Sequence, residues 1–568
     1  MTNGDIASKL DLTDGALPAV PGIAALFLVK FDHRKGYVLA WHKALDGVQV
    51  EDAVEFKSLP SGLHNIQQDL VYFVQDQYAG ISAYINRPDE TSERNASMLA
   101  VGVLVLLEHG RIGKGWLHAE GLESLSRQCM DSPSDNGPLE QYWDEHRLDD
   151  SYEVDVHTPR SPEASTDSLN ISKTRDSNTN GYQGHRSMST TSVGIVGSHA
   201  FTPHHPAARL METLQLFGPL LFPLYRAALL RKRILLISEA PIELACNIVY
   251  NLSILASFPR SLSDYVNAPR SARRSSQPLF NVGVHDIPKL ADMKGWIACT
   301  TDDVLASKPE LFDVVVFLPG MNAKQASRKK YPKILLSSPE LLKTFPKHGA
   351  RGTQRDAIRY QTLMRRLKKF PASTITNPEP TQIPMPPEGP AEDAASVLSS
   401  STIELRKEVV ESPSWGQVAY TSLLWWASAG ARRDGLSEEE QDEQDQDEQL
   451  LGAEGDEDLT KEVAMIGYFR RLTGVMVSVV SQLVGRTDDD EDEDDEPLED
   501  GSDDQQPLRA EADDDEVVEV TPEDMSSMAL DVWSDSDKTF VEEFVQLYWQ
   551  REAKVRGGRV ECCGVRIL

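Results

Sequence analysis

The chain has 568 residues, a formal net charge of −32 and five cysteines, with 40% hydrophobic and 26% charged residues. At about 150 residues per domain this length allows roughly three or four domains, and the composition is that of a chain that folds only in part. No C-x-x-C is present to suggest a zinc or disulfide framework, and no run reaches the ~18–20 apolar residues of a transmembrane span; the nearest, residues 472–485, follows Arg470 and Arg471. The start, Met-Thr-Asn-Gly-Asp, lacks a basic segment before an apolar stretch. The expectation is a cytoplasmic protein, at most peripheral on endomembranes.

The first folded block begins near Pro21, after a disordered 1–20. Residues 23–31 and 37–41 are apolar runs around Asp32-His33-Arg34-Lys35-Gly36 and predict a β-hairpin. A second pair, 69–74 and 78–85, turns at 75–77. The run 100–107 is apolar enough for a central strand. Residues 115–128 predict a helix with Leu117, Leu122 and Leu125 inward. The block 21–148 therefore reads as a small α+β domain. From 149 to 203 Ser, Thr, Asn and Asp dominate, too little apolar surface to offset the ordering entropy, so a disordered linker is expected.

The second block, 204–370, alternates helical and strand-like signals. A helical pattern over 210–229 contains Pro219 and Pro223, which should kink or split it. Strands are expected at 234–237, 279–284, 296–300, 313–318 and 333–337, with a helix opened by Pro241. Short apolar strands separated by helices predict a three-layer α/β domain. A Pro-rich linker, 371–402, leads to a helical region, 403–568. Its helical islands (403–430, 459–485 and 537–554) are separated by two acidic tracts. Residues 437–458 hold twelve acids and no base, and residues 487–516 eighteen acids and one arginine. Both read as solvated, low-complexity loops.

Chemical constellations are missing. Residues 110–115 lack the spacing and hydroxyl of a phosphate loop, no H-E-x-x-H or G-x-S-x-G occurs, and the acidic runs do not follow a calcium-loop pattern. No catalytic residue, metal or cofactor is expected. Two features stand out. Residues 324–369 carry fourteen Lys/Arg and two acids, among them Lys324, Arg328, Lys329, Lys330, Arg365, Arg366, Lys368 and Lys369. A solvated helix face competes here with contact to an anionic membrane, an acidic partner or the chain's own acidic tracts; nucleic acid is not expected, because stacking platforms are few. At the C-terminus Cys562 and Cys563 are misplaced for prenylation, since the fourth residue from the end is Val565; palmitoylation and burial in a strand both remain open.

The order of several strings resembles a DENN module in its LCHN-like branch. They are residues 54–64 (VEFKSLPSGLH), 101–104 (VGVL), 229–235 (LLRKRIL), 280–287 (FNVGVHDI), 295–302 (GWIACTTD) and 309–313 (PELFD). Residues 419–430 (AYTSLLWWASAG) and 562–566 (CCGVR) are similar to the C-terminal region of fungal LCHN-like proteins. The resemblance implies a longin-like antiparallel lobe, a larger α/β lobe and a helical downstream part. It also implies a guanine nucleotide exchange factor for a Rab-family small GTPase in vesicle trafficking, working without covalent chemistry, or alternatively a non-exchanging adaptor of the same shape. On that reading the GTPase sits where the lobes meet, with Phe56, Lys57, Leu59, His64, Trp296, Thr301 and Asp302 as contact candidates. Core packing is the competing reading for Phe56, Leu59 and Trp296.

Overall fold

The structure, a computed structural model, describes residues 20–32, 34–59, 61–89, 96–107, 111–148, 201, 204–268, 275–320, 330–337, 349–370, 408–427, 438–452, 460–493, 517–558, 561–562 and 565–566. Apart from Val20 and the buried Phe201, the expected linkers and the N-terminal segment lie outside these residues, as does most of the second acidic tract.

In the first lobe β1 (Ile23–Asp32) and β2 (Gly36–Ala44) form the predicted hairpin. The Asp32 carboxylate accepts hydrogen bonds from the N–H groups of Arg34 (2.8 Å) and Lys35 (2.9 Å), and Gly36 takes the left-handed φ of +81° that returns the chain. A short helix, α1 (Val54–Ser58), precedes the second hairpin, β3 (Gln68–Gln75) and β4 (Tyr78–Pro88). Strand β5 (Ala96–Leu106) lies between β4 and β1. Alternation along β5 sorts its side chains to two faces. Leu99, Val101, Val103 and Val105 join the core with Leu122 of α2 (Ala119–Asp131) and Trp143 of α3 (Gly137–His146), while Met98, Ala100 and Leu104 pack with Val50, Val54 and Leu59. The sheet is tight at Gly102, where an added Cβ would come within 2.4 Å of the Phe27 ring.

The second lobe opens with α4 (Leu210–Phe217) and α5 (Leu221–Leu229). The predicted helical pattern breaks once, where Gly218 adopts φ +57° ahead of Pro219. Pro223 sits in the first turn of α5, where its missing N–H has no intrahelical partner to lose. There follow β6 (Ile234–Ile237), α6 (Glu243–Leu255), β7 (Gln277–Asn281), α7 (Ile287–Asp292), β8 (Trp296–Thr300), α8 (Asp303–Ala306), β9 (Val314–Phe317), β10 (Lys333–Leu336) and α9 (Gln354–Leu367). Strands β7, β8, β6 and β9 are parallel neighbours and β10 is antiparallel to β9. Ile234 and Leu236 point into the core shared with α4, α5 and α6; Leu235 and Ile237 point to the opposite face with Leu290 of α7 and Leu305 of α8. These are the three layers expected from sequence. The lobes are not separate sheets, however. Strand β3 pairs with β7 at Phe73 and Phe280, and all ten strands form one sheet in the order β10-β9-β6-β8-β7-β3-β4-β5-β1-β2.

Downstream come α10 (Trp415–Ala427), α11 (Glu438–Leu451), α12 (Lys461–Glu493), β11 (Val518–Val520), α13 (Pro522–Ser527), α14 (Asp535–Trp549), β12 (Ala553–Val555), β13 (Glu561–Cys562) and β14 (Val565–Arg566). The first acidic tract corrects the sequence reading: residues 438–451 are a helix, not a solvated loop. A helix this acidic repels itself, and the basic α9 supplies the opposing charge. Asp447 is fully buried against Arg355 (2.5 Å) and Arg359 (3.2 Å) and accepts a hydrogen bond from the Tyr468 hydroxyl (2.7 Å). Glu448 reaches Arg365 (3.5 Å) and Arg366.

The buried network continues into the second lobe. Arg226 of α5 makes two hydrogen bonds to Asp356 (3.0 and 2.6 Å) and lies 3.2 Å from Asp537 of α14. Burial works against the Asp356 carboxylate, yet Arg226 and Arg359 hold it below its ordinary value. Helix α12 is long and apolar enough to cross a membrane by length and composition, but Met465, Tyr468, Phe469, Leu472 and Val477 are buried in the shared core. Phe469 stacks on Phe222 with ring centroids 5.8 Å apart, and the hydroxyls of Tyr225 and Thr473 lie 2.7 Å apart. Helices α11, α12, α13 and α14 with strands β11 and β12 therefore contribute to the core of the second lobe.

Candidate functional site: the lobe junction

Helix α1 meets the segment after β7 at one rim of the sheet. Lys57 Nζ donates to the Val74 carbonyl (2.8 Å) in its own lobe and pairs with Asp286 (2.9 Å) in the other. The same Asp286 carboxylate accepts the Gly283 N–H (3.0 Å), while Asn281 Nδ2 donates to the Lys57 carbonyl (2.9 Å). Further along, Ser61 Oγ donates to Asp302 (2.6 Å). The Phe56 ring stacks on His285 with centroids 4.0 Å apart and remains 38% exposed. Beside this pair is a cleft of about 210 Å³ between α1, the β3–β4 turn and residues 283–289. Val284, next to His285, and Val304, two residues beyond Asp302, are 45% and 55% exposed. Exposed apolar groups around a polar cleft are the surface character of a protein-binding face.

The structure brings Phe56, Lys57 and Asp302 to this junction, with Thr301 half-buried beside Asp302. His64 is exposed on the turn Leu63–Asn65, where its carbonyl accepts from Asn86 Nδ2 (3.2 Å). Two candidates are corrected. Leu59 is 2% exposed and packs with Val50 and Val54 under the first-lobe sheet; Trp296 is fully buried at the start of β8 among Leu290 and Leu305. Both are core residues and offer no surface to a partner. Lys57 is itself buried, so a Lys57→Glu change disturbs folding as well as docking. Val284, His285, Lys289 and Asp76 are members of the junction that sequence reasoning passed over; the first two lie inside the quoted string 280–287, and only their exposure marks them.

The basic stretch is not one surface. Arg355 and Arg359 are buried, Arg366 is half-buried on Glu448, and Lys330, Arg365, Lys368 and Lys369 are exposed. Lys324, Arg328 and Lys329 lie outside the described residues. Among the described residues no group of three or more His, Cys, Asp or Glu is arranged to hold a metal ion.

A second contact fixes the lobes deeper in the sheet. Asp69 of β3 accepts the N–H groups of Ile242 (2.7 Å) and Glu243 (3.1 Å), capping α6 from the other lobe. Burial pushes the Asp69 carboxyl up to about 7; Glu243 adds to the rise, and the N–H groups of Ile242, Glu243 and Leu70 oppose it. A carboxyl whose folded pKa is raised binds more protons folded than unfolded, so its contribution to stability falls as pH rises from about 4 to about 7. Asp69→Asn removes this titration. In urea denaturation from pH 4.5 to 7.5, wild type should lose stability relative to Asp69→Asn as pH rises. Parallel curves would mean that Asp69 does not titrate in this range.

Comparison with known proteins gives the architecture a family. Residues 26–328 match the model of DENN domain-containing protein 11, and residues 410–568 match a domain of unknown function, DUF4484. DENN domain-containing protein 11 of Xenopus laevis is 29% identical over 333 residues, covering 55% of this chain and 66% of the relative. The uncharacterised protein ANR2 of Saccharomyces cerevisiae is 27% identical over 359 residues, covering 57% of this chain and 63% of the relative. An uncharacterised Schizosaccharomyces pombe protein is 30% identical over 336 residues, covering 56% and 67%. The chain thus spans just under two thirds of the first two of these relatives. With a family model matching more than half of its length and a sheet that joins an antiparallel lobe to an α/β lobe, the chain belongs to the DENN domain-containing protein 11 family.

Proposed function

We propose that the chain is a guanine nucleotide exchange factor for a Rab-type small GTPase in vesicle trafficking, docking the GTPase on the lobe-junction face. The observation that carries the reading is the exposed, stacked Phe56–His285 pair beside a polar cleft, on a face to which both lobes contribute. Family membership supports it, since DENN modules generally act on Rab GTPases. Exchange requires no covalent step. A protein that binds the nucleotide-free GTPase more tightly than the GDP-bound form shifts the equilibrium by that difference in affinity and speeds GDP release. The junction offers what such binding uses: an aromatic anchor at Phe56, apolar contacts at Val284 and Val304, and carboxylates at Asp76 and Asp302. On the same reading the protein is cytoplasmic, and exposed Lys330, Arg365, Lys368 and Lys369 are the groups that meet an anionic membrane surface.

The test is release of a fluorescent GDP analogue from a panel of Rab GTPases, with the full chain added. At least one GTPase should release nucleotide about tenfold faster or more, equivalent to about 1.4 kcal/mol off the barrier. A panel in which a GTPase binds in its GTP form and none is accelerated would favour the non-exchanging adaptor.

A further inference from the structure

We propose that the cleft beside Phe56 is a receptor for a single basic side chain, an arginine or a lysine, presented by the docking partner. The identity of that partner rests on the reading above; the chemistry of the cleft rests on its own residues. At about 210 Å³ the cleft falls below the roughly 300–1,000 Å³ of typical small-molecule sites. It has the dimensions for one long side chain.

The charged and titratable groups lining it are Asp52, Lys57, Asp76, His285, Asp286 and Lys289. Lys57 and Asp286 satisfy each other, and each has a further backbone partner at Val74 and Gly283. Neither is available to a visitor. What remains is Asp52 and Asp76 against Lys289, with His285 stacked on Phe56 at the cleft wall. The Lys289–Asp76 contact is 3.9 Å long with side chains 44% and 65% exposed, a loose surface pair that contributes little. Lys289 is therefore a displaceable resident cation.

The backbone at both aspartates is fixed, and the Asp76 carboxylate has a side-chain partner besides Lys289. Asp52 and Asp76 adopt left-handed φ values of +60° and +52°, a region that aspartate tolerates better than most residues. The Asp76 carboxylate accepts a hydrogen bond from Gln75 Nε2 (3.1 Å), and the Asp52 N–H donates to Glu55 Oε1 (3.1 Å). Glu55, which anchors the Asp52 backbone, is 8% exposed and does not itself line the cleft. Phe56, with one face stacked on His285, supplies an apolar wall along which an alkyl stem can lie. An apolar wall, two lining carboxylates and a loosely paired resident lysine together fit a guanidinium or ammonium group and disfavour an anion.

The experiment uses the full chain in ~0.15 M salt, with saturation-transfer NMR of L-argininamide as the probe and L-citrullinamide as its neutral counterpart. Asp76→Asn should weaken argininamide binding at least fivefold, and Lys289→Gln should strengthen it about threefold by removing the competitor. Asp144→Asn, an exposed change of the same charge on α3, should leave it unchanged and so accounts for attraction to the acidic chain as a whole. Citrullinamide should give no saturable signal. Equal effects of Asp76→Asn and Asp144→Asn, or equal binding of citrullinamide, would overturn the assignment. The same variants on nucleotide-free GTPases separate the two ideas. A GTPase that binds wild type and Asp76→Asn alike removes the cleft from docking and leaves the exchange reading intact. A panel without any binder removes the exchange reading, and the argininamide result still decides the cleft.

Discussion

Asp447→Ala is expected to destabilise the folded protein by about 3–5 kcal/mol, the usual cost of removing one partner from a buried ionic network. The Asp447 side chain is wholly buried and serves Arg355, Arg359 and Tyr468 at once. Its loss leaves two guanidinium groups, 2% and 1% exposed, without their main counter-charge. Burial alone pushes Arg359 down; Tyr468, Asp447 and Asp356 together outweigh it and hold the guanidinium above its ordinary value. With domain stabilities of about 5–15 kcal/mol, a loss of this size is a large share of the total. Glu443→Ala is the contrast. Its carboxylate is 27% exposed and 3.7 Å from Arg355, so its removal should cost less than about 1 kcal/mol. Urea denaturation of the two variants measures both. A midpoint unchanged by Asp447→Ala would show that α11 does not dock on α9.

The network explains why one part of the chain read poorly from sequence. Residues 438–451 contain eight acids and no base, a composition that by itself speaks for a solvated loop. Helix formation there depends on Arg355, Arg359, Arg365 and Arg366, more than seventy residues upstream and across an expected linker, and no local pattern encodes that partnership. Charge alone allows the basic stretch three partners, an anionic membrane, an acidic protein or the chain's own acidic tracts, and does not choose among them. The strands, in contrast, were legible because apolar runs such as 234–237 and 296–300 carry their own signal. The junction was legible in part. Phe56 and Asp302 lie on it, but Leu59 and Trp296 share their neighbours' strings while pointing into the core, a distinction set by the pairing of Phe73 with Phe280 and the layers on either side. Asp69 capping α6 across 173 residues is likewise a tertiary fact with no sequence signature.

The second large effect concerns the docking face. Phe56 and Val304 are 38% and 55% exposed, so Phe56→Ala with Val304→Glu should leave the melting temperature within a few degrees of wild type. At an interface an aromatic anchor typically contributes about 2 kcal/mol or more, and a carboxylate placed in an apolar contact adds a desolvation cost. Together these predict a loss of binding of about thirtyfold or more. The most direct measurement is the rate of GDP release from the most responsive Rab GTPase, compared between wild type and this double variant at equal concentration. A fall of at least tenfold with an unchanged melting temperature is the expected result; a rate equal to wild type would contradict the placement of the GTPase at the lobe junction.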